Sequence, residues 1–116
     1  MAATKSATTF TWASGSATAS GTTNPISCPA DYLQEVYVQI VQVGTATTAA
    51  TFTVQSSPDG STFYSGQTYT APTAAGTYTW TIAVPVSAES VQIVYTAQSG
   101  GTSSTLTAQL GQVTGV

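Results

Sequence analysis

The sequence contains no arginine and no histidine, and its charged groups amount to one lysine and four acids. They are Lys5, Asp31, Glu35, Asp59 and Glu89. Without histidine, no side chain titrates near neutrality at its ordinary pKa, and a serine or cysteine nucleophile has no usual base to activate it. A Ser-His-Asp triad is excluded by composition, and no glycine run ends in the lysine that a phosphate-cradling loop requires. An enzyme is the least expected class, and no cofactor is expected. The formal net charge is −3. One cation neither neutralises a run of phosphates nor draws the chain to anionic lipid, so nucleic acid and membrane surfaces are not expected partners.

Other absences narrow the reading further. No apolar run approaches the ~20 residues of a membrane span. The opening MAATKSATTFTWASGS lacks the apolar stretch of ~7–15 residues that marks a secretory signal, so synthesis in the cytoplasm without a signal peptide is expected. A single cysteine, Cys28, excludes an intrachain disulfide framework and a thiolate metal cage. Between Pro25 and Pro29 it reads as a small buried or strand-end residue. Asp31 and Glu35 are near neighbours, but with no third acid beside them they read as a solvated strand entry and not a calcium site. Asp59 belongs to Ser57-Pro58-Asp59-Gly60, a sequence suited to tight reversal. No metal site is expected.

What fills the chain is Thr, Ser, Ala, Gly and Gln around a β-branched and aromatic apolar set. Hydrophobic residues make up 41% of the 116 positions, enough for one domain with one core. The apolar period is two almost throughout. Val36, Val38 and Ile40 share one face of the segment from Gln34 to Val43, with Glu35, Tyr37, Gln39 and Val41 opposite. Phe52 and Val54 alternate with Thr51, Thr53 and Gln55. Tyr78, Trp80, Ile82 and Val84 alternate with Thr77, Thr79, Thr81 and Ala83, which predicts Trp80 in the core. Val91, Ile93 and Tyr95 repeat the pattern, and Leu106, Ala108 and Leu110 close it. Gln98-Ser99-Gly100-Gly101 between these last two segments predicts a terminal hairpin.

With one or two short strands near the start, the count reaches seven to nine. The expected fold is an all-β antiparallel β-sandwich, jelly-roll or immunoglobulin-like. Residues 1–28 are expected to form an N-terminal arm or the first strands, and residues 29–116 the sandwich domain. One inward face cannot hold all the aromatics, so Phe10, Trp12, Tyr37, Tyr64 and Tyr69 are candidate interface residues. Sheet edges are usually guarded by charge, and this chain has almost none. Symmetric self-assembly is the expected cover.

The run from Phe52 through Ser57-Pro58-Asp59-Gly60 to Tyr64, then Gly76-Thr77-Tyr78-Thr79-Trp80-Thr81-Ile82, then Val91 to Gly101 with Leu106 to Leu110, resembles small all-β structural proteins of tailed bacteriophage particles. The resemblance covers roughly residues 33–113. It implies a capsid decoration or cement protein on the outer surface of the virion head, commonly a homotrimer, bound to the major capsid protein or another virion protein at junctions between capsomers. It also implies that an N-terminal segment, here Thr4 to Thr23, engages neighbours. Two further readings stay open from the residues themselves. One is a carbohydrate-binding or host-adhesion module using exposed Tyr and Trp, and the other is a fibre or surface-layer subunit.

Overall fold

The computed structural model describes residues 4–28 and 33–114, so Asp31 and Tyr32 lie outside the described residues. Nine strands follow one another: β1 (Thr4–Thr9), β2 (Gly21–Thr22), β3 (Ile26–Ser27), β4 (Leu33–Val43), β5 (Thr51–Ser57), β6 (Tyr64–Thr70), β7 (Gly76–Ala83), β8 (Ser90–Thr96) and β9 (Ser103–Thr114). They form two sheets. The first has the order β1-β9-β4-β7, and the second β2-β8-β5-β6 with β3 also on β8. Every pairing is antiparallel. With β2 and β3 counted as one interrupted strand, each sheet has four members, and the order is that of a jelly roll.

The alternation read from the sequence is the one that builds the core. Val36, Val38 and Ile40 from β4, Leu106, Ala108 and Leu110 from β9, Phe52 and Val54 from β5, and Val91, Ile93 and Tyr95 from β8 are all buried between the sheets. These side chains belong to the two central strands of each sheet, where a neighbour on both sides completes the cover. Phe52 is the hub: Tyr69 stacks on it at 5.2 Å and Trp80 meets it edge-on at 5.0 Å.

Two expectations need correction. The segments of β8 and β9 do not form a hairpin, because β8 belongs to the second sheet and β9 to the first. Gln98 to Gly101 instead arches across the sandwich end. Gly100 takes φ +88°, and a Cβ there would fall 2.2 Å from Thr47 Oγ1, so the arch is folded tightly onto the β4–β5 connection. Turn residues mark a change of direction without stating which sheet receives the chain. Trp80 does point inward but is only half-buried, because β7 is the outermost strand of its sheet and no further strand among the described residues pairs with it.

The predicted reversal at Ser57-Pro58-Asp59-Gly60 is present. Asp59 Oδ1 accepts the N–H groups of Ser61 and Thr62 at 2.8 and 2.9 Å and the Ser57 hydroxyl at 2.9 Å. Gly60 has φ +79° and donates its N–H to Ser57 Oγ. The loop runs through Phe63, and β6 begins at Tyr64. These bonds favour the ionised carboxyl, and they lower the Asp59 pKa below its ordinary value.

The first residues enter the same sandwich. β1 pairs with β9 from Thr4↔Thr114 to Thr9↔Gln109. Phe10 then turns into the core, and Thr23 is buried with its N–H on Ile93 O and its Oγ1 accepting the Ile93 N–H. Cys28 is buried as well.

Candidate assembly surfaces

The register of the first sheet fixes what its outer face presents. Across β1, β9, β4 and β7 the rows read Ala7, Gly111, Glu35, Ala83, then Thr9, Gln109, Tyr37, Thr81. Beyond β1 the rows continue as Thr107, Gln39, Thr79 and then Thr105, Val41, Thr77. Lys5, Val113 and Leu33 form the row at the other end. Threonine and glutamine dominate, and among the described residues the charges on this face are Lys5 and Glu35. The amide of Gln109 donates to Thr9 Oγ1 at 3.2 Å.

Tyr37 stands at the middle of this face. It is 49% exposed, its hydroxyl lies 3.5 Å from Glu35 Oε1, and its ring rests over Gly111, where a Cβ would come within 2.9 Å of it. The missing side chain at Gly111 is what lets the ring lie down. A shallow groove runs beside it past Leu33, Val113 and Lys5.

The outer face of the second sheet is also self-bonded. Thr53 and Thr68 hydroxyls meet at 2.8 Å, Gln55 donates to Ser65 at 3.1 Å, and Gln92 donates to Gln55 at 2.7 Å. These polar groups satisfy one another across strands. Covering such a face strips little water from charges, which is the costly part of burying a polar surface.

Both sheets end in open strands with little to guard them. β7 and β6 carry no charged residue, and β1 carries Lys5. β1 is exposed along its whole length, on both faces. Along the β6–β7 side of the sandwich, Tyr69, Tyr78, Trp80 and Ile82 are half-buried and form an incompletely covered apolar seam.

The five sequence-predicted interface residues are placed in different surroundings. Phe10 is in the core at 6% exposure and offers no surface, and Trp12 is half-buried against the Tyr95 ring at 5.7 Å. Tyr69 is half-buried in the seam. Tyr37 and Tyr64 are exposed, but Tyr37 lies on the outer face of the first sheet and Tyr64 begins the edge strand of the second, so the five do not form one patch. Sequence reading missed the role of Gly111 and the open seam. The signal for Gly111 was a glycine inside an otherwise regular strand pattern.

Among the described residues no three His, Cys, Asp or Glu side chains gather into a metal-binding group. The fold and surface define a jelly-roll β-sandwich with nearly charge-free faces. No family model matches the chain, and no curated protein matches it. Among solved structures it is similar to a chain of infectious bursal disease virus, strain Gx, at 13% identity and a TM-score of 0.51, covering 95% of this chain and 32% of that one. It is also similar to a Bacillus endospore appendage described as a disulfide-linked pilus, at 15% identity and a TM-score of 0.47, covering 97% and 88%. A carbohydrate-binding module of a Cellvibrio mixtus lichenase, solved with cellotriose, is similar at 12% identity and a TM-score of 0.40, covering 97% and 87%. At these identities the likeness concerns the fold alone.

Proposed function

We propose that this chain is a non-enzymatic structural protein that decorates and stabilises a phage capsid, binding on its outer surface between capsomers. One observation carries the reading: both sheets present outer faces of Thr, Gln and Ser with almost no charge among the described residues, hydrogen-bonded to one another across strands on the second sheet and, at Gln109 and Thr9, on the first. Such a face suits contact with protein and gives little purchase to a reacting substrate. Stabilisation would follow from mass action, because contacts available only on the assembled lattice favour it over separated subunits. A homotrimer bound to the major capsid protein is the favoured form.

The test is occupancy of expanded heads of the cognate tailed phage by the full chain and by a chain lacking residues 1–9. Removing residues 1–23 would take Phe10, Trp12 and Thr23 from the core, so the deletion stops before Phe10. Saturable occupancy by the full chain is expected, with attachment of the shortened one weakened more than the loss of the β1·β9 pairing lowers its melting temperature. Heads that bind neither chain would reject the reading.

A second reading rests on Tyr37, whose exposed ring lies flat beside Gln109 and Glu35 and could stack on a sugar ring. A glycan array probed with the native chain and Tyr37→Ala separates the two, since capsid decoration predicts no sugar dependence.

A further inference from the structure

The two edges of the first sheet are complementary to one another. Val84 donates its N–H to Gln34 O, and Gln34 and Val84 are opposed in the register that runs through Glu35↔Ala83. Bonded and non-bonded pairs alternate along an antiparallel ladder. Ile82, Trp80 and Tyr78 therefore point their backbone groups at β4, while Ala83, Thr81, Thr79 and Thr77 point theirs outward to the open edge. The same parity holds on the other side. Phe10 donates its N–H to Ala108 O, so Lys5, Ala7 and Thr9 of β1 direct their N–H and C=O away from β9. On both edges the residues whose backbone groups point away from the sheet carry their side chains on the outer face.

Strand direction completes the match. Each sheet has four alternating strands, so β1 and β7 run in opposite directions. A second copy placed beside the first by simple translation brings its β1 against β7 antiparallel, with outward N–H and C=O groups opposed. The second sheets continue in the same sense, β2 of one copy towards β6 of the other.

We propose, on the reading of this chain as an assembling structural protein, that its partner at the β7 edge is β1 of a second copy, in a head-to-tail interface that extends both sheets. Charge selects the register. Setting the second copy's Lys5 opposite Ala83 places it two strand spacings, about 9.6 Å, from Glu35. The small Ala83 side chain between them lets the ammonium reach the carboxylate. In that register Thr8 and Ser6 of the second copy lie against Trp80 and Ile82 and cover the half-buried seam. The uncovered strand β1 and the uncovered seam are thereby satisfied together. A two-fold β7·β7 contact would leave β1 and Lys5 unused. The proposed contact is heterologous: related by translation alone the copies run on as a filament, and a rotation between them is needed to close a ring.

Sedimentation velocity over a concentration series of the full chain tests this, with two blocking variants. Ala7→Pro and Thr81→Pro each remove an outward N–H while leaving the bonds to β9 and β4 intact. The native chain is expected to associate beyond a dimer, and each variant alone to weaken association by about tenfold or more. Mixed, the two variants should form a 1:1 dimer that neither forms alone, because one retains its β7 edge and the other its β1 edge. Ala7→Lys and Thr81→Lys repeat the experiment if a proline variant melts early. Dimerisation of Ala7→Pro by itself would overturn the proposal in favour of a two-fold β7 contact. A native chain that stays monomeric would overturn it too, and head binding by that monomer would leave the capsid reading standing.

Discussion

Tyr95 of β8 and Ser104 of β9 join the two sheets across the interior of the sandwich, beside the arch. The Tyr95 hydroxyl donates to Ser104 O at 3.0 Å and also meets the Ser104 hydroxyl, which accepts the Gln98 N–H at 3.2 Å. The two strands leave the same arch in opposite sheets, and this network pins the arch shut. Tyr95→Phe leaves buried Ser104 groups short of a partner and is expected to cost about 1–3 kcal/mol. Thermal melting checks it, at about 4–8 °C per kcal/mol for a domain near this size.

The same residue predicts an alkaline limit. Burial raises the Tyr95 pKa, and the Ser104 bond offsets this only in part. The folded chain therefore holds the phenolic proton more tightly than the unfolded chain does. The sandwich should keep its stability below about pH 10 and lose it as pH climbs from there towards the raised folded value. In Tyr95→Phe that share of the alkaline loss should vanish from a melting series against pH.

At the acid end Asp59 has the opposite sign. Its pKa is lowered by the N–H groups of Thr62 and Ser61 and then by the Ser57 hydroxyl. The contribution is present above the ordinary value of 3.8 and lost as pH falls through the lower folded value. Asp59→Asn should flatten this part of the acid limb, and an unchanged acid profile would show that the turn does not depend on the charge.

Phe52 holds Tyr69 and Trp80 together, so Phe52→Ala should cost about 3–5 kcal/mol. Tryptophan emission should shift to the red, because Trp80 loses the ring that covers its edge.

Gly21 is packed against the preceding loop so closely that a Cβ would fall 1.7 Å from Ser14 O. Gly21→Ala is expected to force that loop away at about 1–3 kcal/mol. Hydrogen exchange should quicken at the amides of Ala13 and Ser14, both of which donate to Thr22 O.

The central strands were legible in the sequence because burial on one face only imposes strict alternation. Val36-Val38-Ile40, Phe52-Val54, Val91-Ile93-Tyr95 and Leu106-Ala108-Leu110 all face the core as read. The destination of each strand was not legible. Gln98 to Gly101 offers the same residues to a hairpin and to an arch, and only long-range contacts such as Tyr95 with Ser104 decide between them. Trp80 was read as core from its alternation, which reports direction but not whether a further strand lies alongside. Phe10 and Tyr37 were read alike as interface candidates, yet one is buried and the other exposed. Which aromatic the sandwich has room for depends on its closed shape, and no local pattern carries that.

Thr4 and Thr114 sit directly opposite one another, so the described chain starts and stops on adjacent strands. A host polypeptide interrupted by this module would need a gap no wider than one rung of a sheet. Circular permutants of residues 4–114 are equally accessible: a short linker from Thr114 to Thr4, with the chain opened near Ser61, should yield the same fold in a different order of synthesis.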